Sequence, residues 1–349
     1  MPWYAYFLAP AAFLFQGITA VRNFLFDTHL LPSEKAPFPT LVVGNLSVGG
    51  TGKTPWVEFI VRQLCDEVSL ATLSRGYGRT SSGFLQADAQ STAAQLGDEP
   101  LQLFRQFQGE VPVFVGENRV NACLQIHRTD PSIKLLVLDD AFQHRKLKPT
   151  FKILLTPYTA PFFNDHLLPM GRLRESRSGA KRAEVVVVTK CPTPVTEAQK
   201  KAYRSSLATY LSPGADVYFS STAYGKPYPV AGSLTECPPR VIAVSGLADD
   251  APFLDYCSRT FDLADSLTFP DHHHYVEKDA QRIKKLFGQV AGTAPVLLTT
   301  EKDAAKLKLL ADTGLLTEIP IFALPIQVVL DPKDQEMLFQ RLRKNLIDT

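Results

Sequence analysis

The stretch Gly44-Asn45-Leu46-Ser47-Val48-Gly49-Gly50-Thr51-Gly52-Lys53-Thr54-Pro55 decides how the rest of the chain is read. Before it, the aliphatic run Thr40 to Gly44 predicts a short buried strand. After it, Trp56, Phe59, Ile60 and Leu64 recur at helical spacing, and Pro55 fits a first helical turn, where its missing N–H costs nothing. Between the two, Ser47 to Thr54 follows the Walker A pattern except that Ser47 stands at the first glycine position. The residue types suit a phosphate cradle. Gly49, Gly50 and Gly52 let the backbone turn its N–H groups toward an anion, with Val48 and Thr51 filling the turn between them. Lys53 reaches β- and γ-phosphates, and the Thr54 hydroxyl can bind Mg²⁺. The helix that follows aims its positive end at the same charge. The switch ATPases with a deviant loop carry a second lysine near its start; here that place holds Val48.

Outward from the loop, Lys134 to Asp140 is an apolar run ending in Asp139 and Asp140, the form of a Walker B element that holds Mg²⁺ directly or through water. Further apolar runs at 68–73, 151–155, 185–189, 241–244, 296–299 and 319–323 read as strands, with helical segments between many of them. Continuous apolar strands alternating with helices imply an α/β fold, a parallel sheet covered on both faces. The segment Ser212 to Pro239, rich in Pro, Gly, Ser and Tyr, marks a domain boundary. The expected division is an N-terminal apolar helix over 1–31, a P-loop core over 32–215, and a smaller C-terminal α/β domain over 216–349 that closes over the nucleotide cleft.

Composition narrows the partners. A net charge of +2 on 349 residues gives no bulk argument for nucleic acid. The five cysteines form no CxxC pair and no disulfide framework, so they read as reduced thiols. No charged side chain occurs from Met1 to Val21, and Trp3, Tyr4, Tyr6, Phe7, Phe13 and Phe15 crowd that stretch. It can lie in a bilayer interface, span once, or form an ordinary buried helix; the aromatic enrichment favours the interface.

Acceptor chemistry needs a base and positive charge. Gly97-Asp98-Glu99-Pro100 places two acids before an expected helix, where Asp98 is either a base or a helix cap. Asp271-His272-His273-His274-Tyr275 offers imidazoles, of which at most one or two can share a site. Arg172, Arg174, Arg177, Lys181 and Arg182 surround a single acid, Glu175, as a basic patch suited to phosphate or anionic lipid. Ser74-Arg75-Gly76-Tyr77-Gly78 ends a strand in a glycine loop, where parallel sheets line their crevices. Thr189-Lys190 and Thr300-Glu301-Lys302-Asp303 are loosely like a guanine-reading loop, and neither has its full Asn-Lys-x-Asp pattern.

Taken in chain order, these motifs resemble the tetraacyldisaccharide 4'-kinase family of the lipid A pathway. The resemblance runs from Arg22-Asn23-Phe24-Leu25-Phe26-Asp27 through the glycine loop, Ser74 to Gly78, Gly97 to Pro100 and Asp139-Asp140-Ala141-Phe142-Gln143-His144. It continues through Leu168-Pro169-Met170-Gly171-Arg172-Leu173-Arg174-Glu175 to Phe269-Pro270-Asp271-His272 and Thr300 to Ala304. It implies transfer of the γ-phosphate of ATP to the 4'-hydroxyl of an acylated glucosamine disaccharide 1-phosphate, on the cytosolic face of a bacterial inner membrane. It implies Lys53 and Thr54 in the loop roles, Asp98 as base with His272 as its partner, and Asp139, Asp140 and Glu175 near Mg²⁺. Arg75, Tyr77 and Arg174 fall in matching motifs and are expected at the acceptor. No protein partner is implied. The competing expectations are a P-loop GTPase or ATPase switch or metallochaperone without a lipid acceptor, and a non-catalytic membrane protein on a nucleotide fold.

Overall fold

The structure, a computed structural model, describes residues 7–271, 273–290 and 295–348. Two compact units form: residues 1–222 with 328–349, and residues 223–327.

The first unit is built on β1 (Thr40–Asn45), β2 (Leu70–Ser74), β3 (Leu85–Gln86), β4 (Val113–Val115), β5 (Leu135–Asp139), β6 (Phe151–Pro157), β7 (Val185–Thr189) and β8 (Asp216–Tyr224). With a late strand at Ile326–Leu330 they make a nine-stranded sheet. From that late strand inward the order is β8, β7, β6, β1, β5, β2, β4, β3. Every pair from β8 to β4 is parallel, and β3 pairs antiparallel with β4. All residues of β1, β2, β5 and β7 are buried, as a sheet covered on both faces demands. On one face lie α2 (Lys53–Leu64) and α3 (Asp98–Gln106), whose Trp56, Ile60, Leu64, Leu101 and Leu103 join one core. On the other lies α4 (Arg119–Thr129), with Ala122, Cys123 and Ile126 in a second core. The connection from β1 leads to β2 on one side of it, and that from β5 leads to β6 on the other. A crevice therefore opens at the carboxyl end of β1, the topological switch point where open α/β sheets bind ligands.

The second unit carries β9 (Tyr228–Ala231), β10 (Arg240–Ser245), β11 (Asp262–Thr268), β12 (Val296–Thr300) and β13 (Ile321–Leu324), in the order β9, β13, β12, β10, β11. All neighbours are parallel except β9 and β13. Its buried Thr300-Glu301-Lys302-Asp303 stretch is a helix start. Thr300 Oγ1 accepts the Asp303 amide at 3.2 Å and donates to Asp303 Oδ2 at 2.8 Å, and that carboxylate also takes the Gly246 amide at 2.8 Å. A capping role thus accounts for the residues that look like a base-reading loop. His272 lies outside the described residues.

The division departs from the expected one. The chain leaves the first unit within β8, past 215, and returns after Gln327, so 216–349 is not one domain. The returning helix Pro332–Leu346 buries Leu338, Phe339, Leu342 and Leu346 in the same core as Trp56. That apolar face draws the end of the chain back.

Helix α1 (Ala9–Asp27) buries only Ala12 and Phe26, while Phe13, Leu14, Ile18, Val21 and Phe24 are exposed. That sets aside the ordinary buried helix. Among the described residues no helix is long and apolar enough to cross a membrane.

Candidate active site

The glycine loop and the acids meet at the carboxyl ends of β1 and β5, which pair directly. Gly49 and Gly52 take φ of 104° and 85°, a left-handed backbone that disfavours any Cβ, and no atom stands within 4 Å of where one would be. Gly52 caps α2, and Lys53 and Thr54 open that helix. The loop is anchored on both flanks. The Val48 amide donates to the Arg172 carbonyl at 2.8 Å, and Thr189 Oγ1, from the end of β7, donates to the Thr51 carbonyl at 2.9 Å. Asn45 Nδ2 donates to Thr51 Oγ1 at 2.8 Å. Ser47 is buried and bridged to Leu173. A Cβ on Gly50 would stand 3.8 Å from Lys190 Nζ, so that amine lies over the loop.

Asp139 ends β5 buried, and its Oδ1 has no hydrogen-bond partner among the described residues. Burial pushes its carboxyl up to about 7. Lys53 pulls it down, and Asp140 and Glu99 push it further up. Asp140 turns out of the strand with φ 50°, a region Asp tolerates. It accepts two hydrogen bonds from Arg174 Nη1, at 2.8 and 2.9 Å, and holds Lys53 Nζ at 3.8 Å. An orphaned buried carboxylate oxygen at the end of the strand paired with the one that leads into the loop fits Mg²⁺, which takes one or two protein carboxylates and fills its other positions with phosphate and water.

Glu175, the third acid expected near Mg²⁺, has basic and amide partners here. Among the described residues no three His, Cys, Asp or Glu side chains group so as to hold a metal ion. Glu175 is instead buried against Arg182, whose Nη2 and Nη1 lie 2.7 and 2.9 Å from its two oxygens. The reason is local: the 3-10 turn Arg177–Arg182 swings Arg182 back over Glu175.

Asp98 is the first residue of α3, and its N-cap is Gly97, so Asp98 is not the cap. Gly97 has φ 93°, and a Cβ there would lie 2.8 Å from the Tyr77 carbonyl. That close approach seats the Arg75–Gly78 turn on the start of α3 and brings Arg75 and Tyr77 to the Asp98 end of the helix. Both side chains are exposed.

Arg119 has no place among the motifs read from sequence, and His144 stands in one of them without an assigned role. Arg119, 4% exposed, opens α4 just past β4. Burial and Arg75 lower its guanidinium to about 10 against the pull of Asp140 and Asp139. His144 is pushed down to about 4 by burial and by Arg119 and Arg22, so it is neutral at pH 7. Both lie just beyond the carboxyl end of a parallel strand; for Arg119 that was the one signal, and β4 is only three residues long and gave no apolar run to mark it.

A cavity of about 480 Å³ opens between α1 and the 165–181 segment; Ala12, Phe13 and Met170 give it an apolar wall, and Arg177 and Lys181 a basic one.

A parallel α/β sheet with glycine loop, lysine and buried acid gathered at its switch point defines a phosphotransferase of the nucleotide-binding α/β class. Comparison narrows the class. A family model described as tetraacyldisaccharide-1-P 4'-kinase matches residues 4–346, and the chain belongs to that family. It is 40% identical to the tetraacyldisaccharide 4'-kinase of Bacteroides thetaiotaomicron, over 96% of this chain and 91% of that one. It is also 40% identical to that of Flavobacterium johnsoniae, over 97% of each. Among solved structures it is similar to "apo" form LpxK from Aquifex aeolicus in complex with ATP, with TM-score 0.76 and 28% identity over 98% of this chain and 99% of that one.

Proposed function

We propose that the chain transfers the γ-phosphate of ATP to the 4'-hydroxyl of tetraacyldisaccharide 1-phosphate, a step of lipid A biosynthesis. The observation that carries the reading is the open glycine loop with Lys53 beside Asp139 and Asp140 at the sheet's switch point.

The loop amides from Ser47 to Thr54 cradle the nucleotide phosphates, and the positive end of α2 favours their charge. Lys53 sits on the transferring group and offsets the charge that spreads over it. Lys53 Nζ stands 3.8 Å from Asp140, whose charge helps hold the amine in place. Thr54 and Asp139 would hold Mg²⁺, with Asp140 beside them, and the ion would supply charge neutralisation at the nucleotide phosphates. Asp98 takes the proton of the attacking hydroxyl as the new O–P bond forms and the bond to the leaving ADP breaks. His272 keeps its proposed role as partner to that base. Arg75 and Tyr77, on the turn that touches Gly97, face the acceptor.

The acceptor is an acylated lipid, so the enzyme works at a surface. The exposed Phe13, Leu14, Ile18, Val21 and Phe24 of α1 suit the bilayer interface. The basic and apolar walls of the cavity beside α1 suit a lipid's phosphate and chain. These features support a peripheral position on the cytosolic face of the inner membrane.

The deciding experiment follows labelled γ-phosphate from ATP to disaccharide 1-phosphate lipid in detergent micelles. Wild type should transfer it, and Asp98→Ala should lose about 10²–10⁴-fold in rate with nucleotide binding kept. Hydrolysis without transfer, indifferent to Asp98→Ala, would point to a switch ATPase.

A further inference from the structure

Glu175 is an acid whose lone pairs are already spent. Besides Arg182 at 2.7 and 2.9 Å, it accepts from Asn23 Nδ2 at 3.0 Å and Gln143 Nε2 at 3.1 Å. An ionised carboxylate offers about four lone-pair sites, and here four donors fill them inside the protein, at 3% exposure.

Two of those donors lead in opposite directions. Asn23 belongs to α1, and the end of that helix is locked down around it. Arg145 Nη1 donates to the Asn23 carbonyl at 2.9 Å, and Arg145 Nη2 to Asp27 at 2.6 Å. Arg22 Nη2 donates to the Gln143 carbonyl at 2.8 Å. The buried Phe26 ring carries the Arg22 and Arg145 guanidinium groups at 5.3 and 5.2 Å.

Gln143 leads the other way. Its Nε2 also donates to the Asn45 carbonyl at 2.8 Å, at the end of β1, and Asn45 holds Thr51 within the glycine loop. Its Oε1 faces Arg174 Nη1 at 3.5 Å, the same nitrogen that grips Asp140, which in turn holds Lys53. The motif Arg22 to Asp27 is thus joined to the nucleotide side of the site through the buried Glu175 carboxylate, besides the direct Arg22 bond to the Gln143 carbonyl.

We infer that Asn23 and Glu175 are positioning residues: through them the docked α1 holds Gln143, Arg174 and Asp140, and with them the glycine loop, in the arrangement that transfers phosphate. This rests on the kinase reading above. Loss of the Asn23 donor leaves a buried oxygen of Glu175 short of a partner and frees Gln143 to turn away from Asn45. The loss therefore falls on turnover and on the Mg²⁺ requirement, and not on capture of the lipid.

The test is a double-mutant cycle on the full chain in mixed micelles: Asn23→Ala, Glu175→Gln and both together. Initial rates are taken against Mg²⁺ and against acceptor, with membrane pelleting and thermal melting measured on each protein. Asn23→Ala should lower kcat about 10–100-fold, as loss of an outer support commonly does, and raise the Mg²⁺ needed for half-maximal rate. Acceptor KM and pelleting should be unchanged, and the double variant should be no worse than Glu175→Gln alone. If the alanine variant melts early, Asn23→Leu, of similar shape and a better helix former, replaces it. A kcat for the Asn23 variants within twofold of wild type overturns the inference, as do fully additive losses. Failure of wild type to transfer phosphate at all would instead be failure of the kinase reading.

Discussion

Asp139 is where function is most plainly held against stability. A buried carboxylate with one oxygen left unbonded is costly, and the protein lowers that cost by holding its proton up to about pH 7, against an ordinary value of 3.8. Between those two values the folded, ligand-free chain keeps a proton that the unfolded chain has released. Stability therefore falls as pH rises through that window, and the loss is complete above 7. Asp139→Asn removes this part of the pH dependence. We expect the variant to melt higher than wild type at pH 8, by ~2–4 °C for each kcal/mol relieved, and the gap to narrow at pH 5. Phosphate transfer should be lost at both. Calorimetric melts across pH without nucleotide check the first point, and a wild-type gap that widens toward acid would refute it. Residue types announced Lys53, Thr54 and Asp139, because a phosphate loop and an acid-tipped strand each need those types in that order. At Glu175 residue types said less: an acid among five bases read only as part of a basic patch, its place near Mg²⁺ came from the family resemblance, and the fold of Arg182 back onto it had no signal in the spacing.

At the scale of elements, α1 divides into a locked end and an exposed face. The lock runs through Arg22, Asn23, Phe26 and Asp27; the face comprises Phe13, Leu14, Ile18, Val21 and Phe24. Leu14→Ser, Ile18→Ser and Val21→Ser together forfeit up to roughly 1.5–3 kcal/mol of burial each at an interface. They should move the enzyme to the soluble fraction while the lock stays intact and transfer in micelles persists. Unchanged pelleting would sink the interface reading. The strands legible beforehand were the continuous apolar ones, such as Val185–Thr189. Val113–Val115 was too short to read, and Asp262–Thr268, with two acids and no fully buried residue, lacks the apolar run that marks a strand.

Across the whole molecule, the chain's end belongs to its beginning. The helix Pro332–Leu346 covers α2: Phe339 meets Phe59 edge-on at 5.5 Å, Arg343 pairs with Glu67 at 2.6 Å, and Arg341 pairs with Asp216. Leu338 and Leu342 are fully buried in that core, so Leu338→Ala or Leu342→Ala should cost about 2–5 kcal/mol. Urea unfolding followed at Trp56, buried in the same core, measures it; a loss under 1 kcal/mol would mean the helix is only draped there.

By itself the sequence determined the parallel α/β class, the strand–loop–helix at 40–64 and the family, because each rests on local pattern: buried strands must be apolar, and a tight phosphate loop must be glycine-rich. Only the tertiary structure decided that 328–349 rejoins the first unit, that Asp139 Oδ1 is buried without a hydrogen bond, and that Glu175 is spent on Arg182, Asn23 and Gln143. Those facts depend on which distant side chains arrive within hydrogen-bond reach, and no spacing along the chain encodes that.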